Sequence, residues 1–247
     1  EDANYKCQIM RPFRMSDYGI HDPKDIRINK VIDKINWRYK KWVKKLYVED
    51  ENFGQEIAVL KRRSIQKQQQ QNLVVFYGSS TIRLWDQLQK DFPDHHTLNL
   101  GFGGAFIHSL SSNFENLFQG LHPKAIVLYL GGNDLSFGLS SKEIIDQIGL
   151  FVETVHQKFP LTKIFNISIK PSFERQELLD VIQQINQGIF ALSMQFTYLH
   201  QIHLYEALLD ENHQIRSDVF LQDGLHLNKI GYGVLKSQVD RALRKHL

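Results

Sequence analysis

From Leu73 onward the chain alternates between short apolar runs and longer stretches in which apolar residues recur at three- and four-residue steps. Leu73–Tyr77, Thr97–Leu100, Ala125–Leu130 and Lys163–Ile169 are strand-favouring runs bounded by Gly, Pro or polar positions, and Phe196–His200 is a weaker fifth. Such short apolar runs predict strands buried on both faces. Helical patterns lie between and after them, near Leu84–Lys90, Ser109–Gly120, Ser141–Phe159, Gln176–Met194 and Lys229–His246. Strand alternating with helix predicts an α/β fold, a parallel sheet covered on both sides. In such sheets the reactive groups collect on loops at the carboxyl ends of the strands.

The pattern upstream is different. Between Ile26 and Tyr47, the residues Ile28, Val31, Ile32, Ile35, Tyr39, Trp42, Val43 and Leu46 fall on one face of a helix, and Lys30, Lys34, Arg38, Lys41 and Lys45 fall on the other. A second helix is expected from about Gln55 to Gln66, followed by a polar linker, Gln68 to Gln71. Charge follows this division. Residues 1–72 hold 16 Lys/Arg against 10 Asp/Glu, whereas residues 73–247 hold 14 against 17, so the net charge of +3 comes from the first segment. The chain therefore reads as a basic helical extension over 1–72, packed on or appended to a core domain over 73–247.

An amphipathic helix bearing a Trp usually packs on its own domain with its lysines in water. Peripheral contact with an anionic membrane or an acidic partner through residues 26–47 is the competing reading. Nucleic acid is disfavoured, because no aromatic-interleaved basic sheet or recognised reading module is present. A hydrophobic content of 42% over 247 residues is enough for one sizeable core. The single cysteine, Cys7, rules out an internal disulfide or a thiolate metal frame. His95–His96 and the pair His200 and His203 lack an evident third ligand, so no metal or other cofactor is expected. No apolar run of 18 residues is available to span a membrane. A leader removed ahead of Glu1 would leave no trace, so the compartment stays open, with a slight lean to the cytoplasm over secretion. The oligomeric state is likewise open.

Four strand-end loops carry candidate chemistry. Gly78-Ser79-Ser80 follows the first strand and offers a tight turn, an exposed hydroxyl and N–H groups at a helix start. Gly101-Phe102-Gly103-Gly104 follows the second, where Gly104 can present its N–H to a ligand. A phosphate loop is disfavoured there, because no Gly-Lys-Ser/Thr follows and the glycines miss the dinucleotide spacing. Gly131-Gly132-Asn133-Asp134 follows the third, and the Asn133 amide can donate to an oxygen that becomes negative only in a transition state. Asp223-Gly224-Leu225-His226 precedes the last helix. Three residues of separation let Asp223 fold back on the Nδ1–H of His226 and leave Nε2 free to take a proton from a serine. Each loop alone has an ordinary explanation, as a helix cap or a turn.

In this order and at these distances, the four segments resemble the four sequence blocks of the SGNH hydrolases, the family also called GDSL esterases and lipases. The similarity extends to Asn228–Tyr232, covers roughly residues 73–247 and leaves the first 72 unexplained. It implies a three-layer α/β/α sandwich with a five-stranded parallel sheet and a carboxylic-ester hydrolase acting on small-molecule esters. It also implies Ser80 as nucleophile, His226 as general base, Asp223 as its orienting acid, and an oxyanion hole from the N–H groups of Ser80 and Gly104 with the Asn133 amide. One departure stands out: Ser79 occupies the place where the family usually has Asp, which marks a Gly-Ser-Ser subgroup. No apolar lid is evident, which favours acetyl or short-chain esters over long acyl chains; acetylated sugars and lysophospholipids are further substrate classes. The alternative is an idle scaffold of the same fold, acting as a binding or assembly subunit through its basic helix.

Overall fold

The computed structural model describes residues 53–247. The helix expected over 26–47, with Cys7, lies outside the described residues. Five strands form one parallel sheet in the order β2-β1-β3-β4-β5: β1 Leu73–Gly78, β2 His96–Asn99, β3 Pro123–Tyr129, β4 Lys163–Ile167 and β5 Leu199–Ile202. With helices on both faces, this is the expected three-layer α/β arrangement.

Successive strand side chains point to opposite faces, so one strand serves two cores. From β1, Leu73, Val75 and Tyr77 enter one cluster, and Val74 and Phe76 enter the other. The first cluster is closed by four long helices: α1 Gly54–Ile65, α4 Ile107–Phe118, α6 Ser141–Lys158 and α7 Leu179–Gln195. The second is closed by the one-turn helices α2 Ser80–Arg83, α3 Leu88–Asp91 and α8 Leu204–Ala207, with the long C-terminal helix α9 Lys229–His246. A further one-turn helix, α5 Gly132–Ser136, follows β3, and a 3-10 segment, Phe173–Leu178, follows β4. Among the described residues, no helix is long and apolar enough to cross a membrane.

Local signals explain where two of the long helices begin. Ser140 and Glu143 form a reciprocal cap on α6: the Glu143 N–H donates to Ser140 Oγ at 3.3 Å, and the Ser140 N–H donates to Glu143 Oε2 at 2.9 Å. Asn228 caps α9 by accepting the N–H groups of Ile230 and Gly231 at 2.9 and 3.1 Å. Such a cap is worth about 1 kcal/mol. Here it also fixes where the preceding Asp223–His226 turn must end.

Two expectations are corrected. The helix expected over Leu84–Lys90 does not form as one: α2 ends at Arg83 and α3 starts only at Leu88, because Trp85 turns into the core between them. Its ring packs against Phe76, Phe92 and Tyr232, and its Nε1–H donates to Asp91 Oδ2 at 2.7 Å. The fifth strand lies at Leu199–Ile202 rather than Phe196–His200, because Phe196 still belongs to the end of α7, with its N–H donated to the Leu192 C=O. The expected helix near Gln55–Gln66 is α1. It packs on α4 through Ile57, Leu60 and Ser64, whose Oγ donates to the Leu117 C=O at 2.5 Å.

Candidate active site

The carboxyl ends of β1, β2 and β3 open onto the three loops singled out by sequence, and the C-terminal turn returns beside them. β1 ends at Gly78, where a Cβ would stand 2.2 Å from the Tyr129 carbonyl oxygen. This close approach lets the Ser79 N–H donate to the same carbonyl at 3.1 Å. The chain then turns sharply, and Ser80 becomes the first residue of α2. At that position a backbone N–H has no partner within the helix. The strand-to-helix turn thus presents the Ser80 hydroxyl and N–H together.

His226 reaches this hydroxyl from the other end of the chain. Its Nε2 lies 3.1 Å from Ser80 Oγ, and its Nδ1 lies 2.6 Å from Asp223 Oδ2. The other carboxylate oxygen, Oδ1, accepts the backbone N–H groups of Leu225 and His226, both at 2.9 Å. Asp223 is therefore held by its own turn while it holds the imidazole. Partial burial pushes its pKa up, but the hydrogen bonds from the His226 ring and from the two N–H groups, with the His226 charge, outweigh this and leave it below the usual carboxylate value. An ionised Asp223 requires the Nδ1–H tautomer and leaves Nε2 to accept a proton from Ser80.

The other two loops are tied to each other. Gly104 has φ +70° with open space where a side chain would start, so left-handed backbone, not crowding, favours glycine there. Next to it, the Ala105 C=O accepts Asn133 Nδ2 at 2.9 Å. Asp134 is fully buried, and both its oxygens accept the Ile107 N–H at the start of α4. A carboxylate suits this helix start, where N–H groups are exposed and the helix dipole is positive. Asn133 and Asp134 thus brace the loop that carries Gly104.

Three contributors were missed in the sequence. Arg175, in the 3-10 segment after β4, is buried and donates from Nε to Ser136 Oγ at 2.7 Å and from Nη2 to Asn133 Oδ1 at 3.4 Å. Lys170, three residues past the end of β4, is also buried, with Nζ 5.9 Å from the centre of the Tyr129 ring. Burial first, and then the Arg175 charge, pull its pKa down to about 7, against the opposing pull of Asp223 and Glu174. Glu56, on α1, accepts the Gly103 N–H at 3.3 Å and lies 3.9 Å from Arg83 Nε. A lysine closing an apolar strand run was the one available signal. Arg175 just precedes a helical pattern and Glu56 lies within one, and neither offered any.

The fold and family of the chain have counterparts among known proteins. The family model described as GDSL-like Lipase/Acylhydrolase matches residues 71–234. No curated protein matches the chain. Among solved structures, a GDSL-like lipase from Bacteroides thetaiotaomicron superposes with a TM-score of 0.62 at 20% identity, covering 80% of this chain and 98% of its own. The lipase/acylhydrolase from Enterococcus faecalis gives 0.58 at 16% identity, covering 71% and 97%. A carbohydrate esterase family 3 protein from Talaromyces cellulolyticus gives 0.58 at 16%, covering 70% and 96%. At these identities the structures speak for the fold.

Proposed function

The chain belongs to the GDSL-like lipase/acylhydrolase family, and on that footing we propose that it is a serine esterase working through an acyl-enzyme. The observation that carries the reading is the position of His226, with Nε2 3.1 Å from Ser80 Oγ and Nδ1 2.6 Å from Asp223 Oδ2. Ser80 Oγ attacks the ester carbonyl as His226 Nε2 takes its proton, and Asp223 stabilises the imidazolium. The Ser80 and Gly104 N–H groups and Asn133 Nδ2 receive the negative oxygen of the tetrahedral intermediate. Collapse expels the alcohol, which takes the proton from His226. Water then attacks the acyl group, with His226 again as base; the bond to Ser80 Oγ breaks, His226 returns the proton to that oxygen, and the carboxylic acid leaves. The hydrolase domain in this reading is 73–247, in line with the family match over 71–234.

Acetyl and short-chain esters are the favoured substrates. Acetylated sugars and lysophospholipids are the further classes to compare with them. The test pairs turnover with labelling. Purified protein is expected to hydrolyse 4-nitrophenyl acetate and to take up one serine-directed phosphonate at Ser80, located by peptide mass. Ser80→Ala is expected to lose both, and turnover that survives this substitution would overturn the reading.

A further inference from the structure

An oxyanion donor is useful only if its hydrogens face the substrate, and an Asn side chain can present either its oxygen or its nitrogen from nearly the same shape. At Asn133 the two ends have different partners. Nδ2 donates to the Ala105 C=O at 2.9 Å, and Oδ1 accepts from Arg175 Nη2 at 3.4 Å. Turned over, the amide would set oxygen against the Ala105 oxygen and NH₂ against a guanidinium, so both contacts would become repulsive. In the observed orientation one Nδ2 hydrogen is taken by Ala105 and the second is left over.

The guanidinium is itself fixed. Nε donates to Ser136 Oγ at 2.7 Å, and Ser136 Oγ donates to the Gly132 C=O at 3.2 Å. A side chain at Gly132 would start 3.1 Å from Arg175 Nη1, so the arginine lies directly against the backbone of α5, the one-turn helix that carries Asn133. Glu174 Oε2 lies 3.5 Å from Nε. The same segment is pinned at its other end, where the Phe173 and Glu174 N–H groups donate to the Gly224 C=O, inside the Asp223–His226 turn, at 3.0 and 3.4 Å. Removing a guanidinium from water is costly, and packing alone gives no reason to bear that cost at a position an apolar side chain could fill.

We propose that Arg175 is a positioning residue of the oxyanion hole, acting on the ester through Asn133 by holding its amide with Oδ1 turned away and one Nδ2 hydrogen free for the developing charge. This rests on the esterase reading above. A double-mutant cycle tests it, with kcat and KM measured on 4-nitrophenyl esters from acetyl to octanoyl for the unaltered protein, Arg175→Gln, Asn133→Ala and the double variant. Arg175→Gln is expected to lower kcat about 10- to 100-fold with KM little changed, since one oxyanion donor is worth about 100- to 1000-fold. On the Asn133→Ala background the same change should have almost no further effect. Arg175→Lys keeps the charge without the planar fork; it should lose less, and that loss too should vanish beside Asn133→Ala. It also keeps the cycle readable should Arg175→Gln fail to fold. Fully multiplicative effects, an unchanged kcat, or a change in KM alone would overturn the proposal while leaving the esterase reading intact. An unaltered protein inactive on the whole ester series would overturn both.

Discussion

The carboxylate of Asp134 receives the backbone N–H of Ile107, with Oδ1 at 3.1 Å and Oδ2 at 3.3 Å, in a fully buried setting. The residue beside the proposed oxyanion amide thus anchors the helix that follows the proposed oxyanion glycine. Removing the acceptor leaves a buried N–H unpaired, a loss of about 1–3 kcal/mol. Asp134→Ala should lower the denaturation midpoint accordingly and depress kcat as the Gly104 loop loosens. Asp134→Asn, which keeps an acceptor oxygen, should recover most of the stability. Equal loss in both variants would show that charge, not the acceptor, is what matters.

Lys170 makes stability depend on pH. Its pKa in the native protein is about 7 against 10.5 for an ordinary lysine. Between these values the unfolded chain holds a proton that the native chain has released, so stability rises with pH across this window, and the penalty is present in full below it. Lys170→Met should therefore raise the denaturation midpoint at pH 7 and flatten its rise towards pH 9, a difference on the order of a few kcal/mol. Parallel pH profiles for the two proteins would refute this assignment.

Glu56 joins a helix outside the family match to the loop that bears Gly104. It accepts the Gly103 N–H at 3.3 Å and faces Arg83, near the turn that carries the proposed nucleophile Ser80. The contact is partly exposed, so Glu56→Ala should change stability by less than about 1 kcal/mol. Activity is the more sensitive readout. A fall of several-fold in kcat for Glu56→Ala is expected from steady-state kinetics; identical kcat in the two proteins would separate α1 from the reaction.

Much of the fold could be read from periodicity, because a strand buried on both faces must be apolar throughout and a helix against it must carry an apolar stripe. Leu73–Tyr77 and Ser141–Phe159 follow this rule closely, and their observed bounds differ from the expected ones by a residue at one end. It failed at Leu84–Lys90, where Trp85 is apolar in step with a helix but is drawn out of it by Phe76, Phe92 and Tyr232. It failed again at the fifth strand, where the hydrogen bond from Phe196 to Leu192 belongs to the preceding helix and no hydropathy pattern reveals it.

The candidate site divides in the same way. Sequence by itself determined the short-range features: a glycine where β1 must turn, a carboxylate three residues before an imidazole, an amide after two glycines. Each is set by the few residues around it. Only the tertiary structure decided that Ser80 and His226, 146 positions apart, come within 3.1 Å of each other, that Asp134 holds α4, and that a buried arginine meets the oxygen end of the Asn133 amide. These contacts join elements distant along the chain, and they depend on side-chain direction at packed interfaces. Local pattern encodes which face of an element is buried, but not which atom of another element it meets.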